Sequence, residues 1–236
     1  MSSETSSSES WISWYASRPG NEFFLAIEEE FVRDNFNLYG LRPLFSFYDH
    51  ALEMILDPDC PEEEDLQDRD YSEVYKEAIL LYGIVHARFA TSPRGLSLLK
   101  EKFLAGEFGT CPRSLCRGQK CLPIGLYDKP GRLPVKVYCP KCEQVYAPTL
   151  FGKRAVKTTD GAFFGSSLPH IFLQTFPDLV PMEIPLPYVP KIFGFKVHNH
   201  KSLIATKLQN EQSGIRQPRD LDPAIDLTDF NSDDSS

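Results

Sequence analysis

Apolar and polar positions alternate in two different grammars along the chain, and the change comes near residue 106. Before it, apolar residues recur at helical spacing. Leu44, Phe45, Tyr48, Leu52, Ile55 and Leu56 predict an amphipathic helix over roughly residues 42–56, stopping before Pro58. Val74, Tyr75, Ala78, Ile79, Tyr82, Val85 and Phe89 predict another within Tyr71–Ala90. Ser92-Pro93 is a start signal, a hydroxyl to cap free amides and a proline for the first helical position. The helix it opens carries Leu96, Leu99 and Phe103, and Gly106 suits a left-handed stop. Ile27–Phe36 reads as helical, with acids early enough to favour the helix dipole. Ser10 caps a short helix from Trp11, whose rings Trp11, Trp14 and Tyr15, with Ile12, anchor it on the domain. Residues 11–105 are therefore expected to form an all-α domain.

After Gly106, proline, glycine, cysteine and β-branched residues take over, and Val135–Tyr138 reads as a short strand. The ends differ again. Residues 1–10, MSSETSSSES, are too polar to fold alone, and residues 205–236 are polar, acidic and expected to be disordered. Residues 57–70 are dominated by carboxylates, whose mutual repulsion predicts an exposed acidic loop.

Composition adds limits. The 236 residues are 42% hydrophobic and 25% charged, enough for a buried core. No run reaches the ~18 apolar residues of a membrane span, and no amino-terminal stretch reads as a secretory signal. The net charge of −8 hides a partition. Residues 1–70 carry a net −13, residues 71–210 a net +10 and the last 26 residues a net −5. Such a layout suits charged partners or contacts between copies.

Four of the six cysteines form the series Cys111-x4-Cys116, 22 residues, Cys139-x2-Cys142. Two close-spaced pairs about 20 residues apart are the signature of a tetrahedral four-thiolate zinc site. Thiolates are soft anionic donors that suit zinc, and Pro112 and Pro140 stiffen the two turns. The fold class expected is α+β: an all-α amino-terminal domain followed by a four-cysteine zinc ribbon, over 106–180, with a small antiparallel sheet. One structural zinc per chain is expected, because four protein ligands leave no open position for catalysis. A disulfide framework is disfavoured without a secretory signal, and Cys139-Pro-Lys-Cys142 lacks the βαβ setting of a redox motif. Cys60 and Cys121 have no matching arrangement.

No catalytic constellation stands out: there is no G-x-S-x-G, H-E-x-x-H, P-loop or kinase glycine-rich loop. His86, in an apolar helical stretch, and His170, before Ile171, read as structural. A non-catalytic protein is expected.

The ordered series CPRSLC, five residues, LPIG, nine residues, VKVYCPKC resembles the zinc-region signature of the casein kinase II regulatory (β) subunit family. The likeness extends through SWISWY, GNEFF, YGIVHARF, TSPRG, GEFGTCP, TDGAFFG and KIFGFKVH, over roughly residues 1–200. It implies a regulatory subunit that binds zinc through Cys111, Cys116, Cys139 and Cys142 and dimerises through the ribbon. It implies two catalytic α subunits held by two regulatory chains, and modulation of their stability, activity and substrate choice. By the same resemblance residues 181–204 form the kinase-docking segment, with Lys191, Phe193, Phe195 and His198 as contacts. Alternating Ile192, Phe193, Phe195 and Val197 around Gly194 are consistent with an exposed strand and turn, although Ile192 and Val197 equally suit the ribbon's own core. Ser2 and Ser3 match the family's phosphorylation sites, and Ser6 has Glu9 at the spacing such a kinase favours. The loop carboxylates Asp57, Asp59, Glu62, Glu63, Glu64 and Asp65 match a region that attracts polyamines and protein substrates. Residence in cytoplasm and nucleus is implied as well.

Departures from the family pattern are Ser114 for an apolar residue near the pairing surface, Phe193 for a common Tyr, and Lys153–Lys157 without the usual His cluster. A second reading is a nucleic-acid-binding zinc ribbon of the transcription-factor kind, supported by the basic middle. Its charges are scattered over 140 residues and flanked by acidic segments, so neither nucleic acid nor a membrane is expected as a direct partner.

Overall fold

The structure, a computed structural model, describes residues 9–61, 65, 68–148, 159–183 and 186–197. Ser2, Ser3, Ser6, Glu62, Glu63, Glu64, the basic stretch 153–157, His198, His200 and the tail 205–236 lie outside the described residues. The chain divides into two units, Met1–Leu186 and Pro187–Ser236.

In the first unit the helices are α1 (Trp11–Ser17), α2 (Glu29–Arg33), α3 (Tyr48–Ile55), α4 (Arg69–Ala90), α5 (Pro93–Ala105) and α6 (Leu168–Thr175). Their ends follow from local chemistry. Ser10 accepts from Ser13 N at the start of α1, and Asp68 accepts from Asp70 N and Tyr71 N at the start of α4. Ser92 accepts from Gly95 N at the start of α5, and Gly106, at φ 80°, ends it in the left-handed region. Strands β1 (Leu122–Ile124), β2 (Lys136–Cys139) and β3 (Gln144–Tyr146) form an antiparallel sheet in that order. Leu122 pairs with Tyr138, and Tyr138 with Val145. The expected class, helices followed by a small antiparallel ribbon, is the one observed.

The core is continuous across residue 106: Phe103 of α5, Phe108 and Cys111 belong to the same buried cluster as Leu122, Val137 and Phe172. α4 is its axis and packs against α3, α5 and the 3-10 turn Gly161–Phe163.

Two helices differ from their expectation. Over Ile27–Phe36 only Glu29–Arg33 is helical. After Arg33, Asp34 Oδ1 accepts from Phe36 N at 2.9 Å and turns the chain out of the helix. Before Glu29, Phe23, Phe24, Leu25 and Ile27 are all buried, and one face of a helix cannot bury four such side chains within five positions. An irregular strand can, provided its peptide groups find partners. They do: Leu25 N donates to His86 Nε2 at 3.0 Å, and the Tyr82 hydroxyl donates to Leu25 O at 3.0 Å. The helix expected over 42–56 is a 3-10 turn, Arg42–Leu44, followed by a break and then α3. Glu77 of α4 causes the break, its carboxylate accepting from Ser46 N at 3.1 Å and Phe47 N at 2.6 Å. A cap supplied by another helix replaces the local turn.

His86 is the buried core histidine expected, whereas His170 is exposed, its ring set edge-on to Tyr138 at 5.3 Å. Proline at the first turn of α6 fixes the helix so that Leu168 and Phe172 face inward and His170 does not.

The second unit contains a hairpin, β4 (Lys191–Ile192) against β5 (Phe195–Lys196). Phe193 and Gly194 make its two-residue turn with φ of 49° and 87°, both positive as a type I′ turn requires. Val197 N donates to Pro190 O at 2.8 Å and closes its open end.

Candidate metal centre and docking hairpin

Two turns of similar design bring the cysteines together. In the first, Cys111 is followed by Pro112, a 3-10 turn spans Ser114–Cys116, and Arg117 takes a left-handed φ of 55°. In the second, Cys139 ends β2, Pro140 follows, and Glu143, just after Cys142, takes a left-handed φ of 54°. In each, the residue that follows the second cysteine reverses the chain. Cys111 N donates to Gln119 O at 2.8 Å, and Glu143 N to Cys139 O at 2.9 Å, so both loops are closed by backbone bonds.

The sulfur atoms of Cys111, Cys116, Cys139 and Cys142 lie within 4.8 Å of one another, all four residues are buried, and none is in a disulfide. Cys111 Sγ and Cys142 Sγ are 3.9 Å apart. A tetrahedron with metal–sulfur bonds of about 2.3 Å has edges of about 3.8 Å. The donor set therefore fits zinc in number, softness and spacing. Once bound, such an ion supplies a cross-link between the two turns and no open coordination position.

Electrostatics favour a cation there. Burial, reinforced by the neighbouring thiols Cys111 and Cys142, pushes the Cys116 thiol up to about 11, and burial raises Cys139 as well. For Cys142 burial also raises, but hydrogen bonds led by the Tyr146 hydroxyl, at 3.3 Å, outweigh it and bring the thiol down to about 7. Four thiolates so close cannot all form without a positive charge among them. Cys121 is buried outside the group of four, its thiol 3.8 Å from Gln119 O and pushed up to about 12 by burial and the nearby thiols Cys111 and Cys142. Cys60 is exposed.

The hairpin presents apolar side chains to solvent. Phe193 is 96% exposed and Phe195 79%, and Ile192 is exposed too. Val197 is exposed as well. Lys191 is paired across the hairpin with Lys196. Leu126 and Val145, on the ribbon, are large exposed apolar residues, and Ser114 is exposed beside the first cysteine pair. Sequence reasoning missed Leu126 and Val145, for a lone Leu after Gly125 and one Val in a three-residue strand carry no visible signal of exposure.

Of the acidic loop, Asp57, Asp59 and Asp65 are described and exposed. Asp57 Oδ1 accepts from Asp59 N at 3.0 Å, and Asp57 O accepts from Trp11 N at 3.2 Å, tying the loop's start to α1. Among the described residues no helix is long and apolar enough to cross a membrane.

Comparison with known proteins agrees with this geometry. A family model described as "Casein kinase II regulatory subunit" matches residues 10–196. "Casein kinase II subunit beta" of Dictyostelium discoideum is 46% identical over 204 residues, 86% of this chain and 73% of that protein. The protein of the same description from Schizosaccharomyces pombe is 43% identical over 203 residues, covering 85% and 84% of the two chains. "Casein kinase II subunit beta'" of Drosophila melanogaster is 41% identical over 208 residues, covering 87% and 92%. The match spans the helices, both cysteine pairs and the hairpin through Lys196, and the chain belongs to the casein kinase II regulatory subunit family, as a regulatory and not a catalytic protein.

Proposed function

We propose that this chain holds a structural zinc ion through Cys111, Cys116, Cys139 and Cys142, pairs with a second copy through its ribbon, and docks catalytic subunits on its hairpin. Two regulatory and two catalytic chains make the assembly. Phosphoryl transfer belongs to the catalytic partner, while this chain sets its stability and choice of substrate. The observation that carries the docking role is Phe193, almost wholly exposed at the tip of a hairpin. Two exposed aromatic side chains on one two-stranded hairpin are suited to burial by a partner, since aromatic anchors supply much of the energy of such contacts. The exposed Leu126 and Val145 support pairing through the ribbon, and Ser114, small and polar, makes that surface less apolar. The carboxylates of residues 57–70 suit polyamines and basic protein substrates, because closely spaced anions attract polycations. Ser2, Ser3 and Ser6 are the candidate phosphorylation sites, and His198 and Lys191 flank the docking rings. Work in both cytoplasm and nucleus goes with this reading. Family membership favours it over nucleic-acid binding.

The deciding experiment is calorimetric titration of a casein kinase II catalytic subunit with the chain and with its Phe193→Ala/Phe195→Ala variant. Each buried aromatic anchor is worth about 2 kcal/mol or more, so the variant is expected to bind at least ~100-fold more weakly. Unchanged affinity sinks the docking role.

A further inference from the structure

Both cysteine turns place a base directly after Cys-Pro: Arg113 in the first and Lys141 in the second. Both reach the same stretch of chain. Lys141 Nζ lies 2.8 Å from Glu183 Oε2, and Arg113 Nη2 donates to Leu186 O at 3.0 Å. The Lys141 side chain is only 10% exposed and Glu183 71%, so the base is fixed in the ribbon and the acid comes to it from outside. Hydrogen bonding to Lys141, with the charges of Lys141 and Arg117, holds the Glu183 carboxyl below its usual range. Among the described residues of this stretch there is no helix or strand: the last helical turn before it is Pro177–Leu179, and the second unit begins at Pro187.

From these two contacts we infer that Arg113 and Lys141 are positioning residues for kinase docking, a latch by which the metal turns fix the point where the chain leaves the first unit toward its hairpin. The inference rests on the docking role proposed above. With the latch closed, the free tether before β4 is Pro187–Pro190, four residues, two of them proline. With it open, the tether runs back to Val180, eleven residues. A catalytic subunit that grips the hairpin and also touches the body of this chain does so at an effective concentration that falls as about the 3/2 power of tether length. Lengthening of this size lowers affinity about fivefold. An exposed ion pair alone contributes little, so the Glu183 contact matters through the chain it holds.

The test uses the full chain with Glu183→Lys, Arg113→Ala and both together. Amide hydrogen exchange between Val180 and Leu186 is expected to quicken in each single variant and most in the double, with metal content unchanged. Affinity for the catalytic subunit is expected to fall about fivefold in the double variant. Because Glu183 lies on the exposed side, its replacement leaves the fold intact and keeps the measurement interpretable. Unaltered exchange overturns the latch, and so does unaltered affinity when Phe193→Ala/Phe195→Ala abolishes binding. Full binding by that aromatic variant overturns the docking role itself, and the latch's part in docking with it, whatever the exchange shows.

Discussion

The ring of Phe163 lies where a β-carbon on Gly83 would be: an added carbon there would sit 2.2 Å from Phe163 Cδ1 and 2.4 Å from Cγ. Contact at Cγ, the root of the ring, cannot be relieved by a small swing of its far edge. Gly83 is thus in the middle of α4 for packing and in spite of its poor helix propensity.

Gly83→Ala should therefore destabilise the protein although alanine is the better helix former by about 1 kcal/mol. Overpacking of this kind costs about 1–3 kcal/mol, and a net loss is expected in urea unfolding. A higher unfolding midpoint in the variant would mean that Phe163 moves aside freely.

His86 joins the same two elements and one more. Its Nε2 accepts from Leu25 N, and its Nδ1 meets Phe163 O at 2.7 Å as a donor, so the ring is held neutral. Burial, assisted by Lys102, lowers its pKa from 6.5 to about 4, against the raising effect of the Phe163 carbonyl. The unfolded chain takes up this proton near 6.5 and the folded one does not until about 4. Stability from the neutral ring is therefore complete above pH 6.5 and is lost as pH falls toward 4, by up to about 3 kcal/mol. Urea unfolding at pH 7 and pH 5 should show a loss of about 2 kcal/mol in the wild type beyond that in a His86→Gln variant. Equal losses in both would assign the acid sensitivity to other groups.

Thiol reactivity reads the metal centre. Cys60 is exposed and the other five cysteines are buried. In the metal-loaded folded protein one thiol should react promptly with an aromatic disulfide reagent. After chelation all six should react, and the copies should separate in size-exclusion chromatography. Several fast thiols before chelation, or a dimer that survives it, would contradict a metal-built ribbon.

The hairpin turn separates geometry from recognition. Phe193 sits at positive φ, a strain of about 1–2 kcal/mol for an L-residue with a β-carbon. Asparagine tolerates that conformation well, so Phe193→Asn should keep or strengthen the hairpin while removing the ring. Binding of the catalytic subunit should still drop at least ~10-fold. Retained affinity would show that the turn and not the ring is what the partner reads.

Much of this molecule is legible in one dimension. The caps Ser10 and Ser92, the stop at Gly106 and the four metal-spaced cysteines are local codes, read from residues a few positions apart. The cysteine pairs are legible for the same reason: each turn is short, and its ligands need only a fixed spacing and a proline. The docking residues proposed here are legible only through resemblance, because an exposed aromatic residue and a buried one look alike in sequence.

What the amino-acid order determined by itself was each element whose hydrogen bonds close within a few residues: α1, α4, α5 and the two cysteine turns. What only the tertiary structure decided was wherever a backbone group takes a partner from far along the chain. Glu77 breaks the helix expected over 42–56 by capping Ser46 and Phe47 from 30 residues away. His86 and Tyr82 let Phe23–Leu25 run buried without helical bonds, at separations of 61 and 57 residues. Arg113 and Lys141 find their partners only once the chain has come back past the metal turns. In each case a polar group takes its partner from far along the chain, and which side chain supplies it depends on proximity in space that no spacing along the sequence encodes.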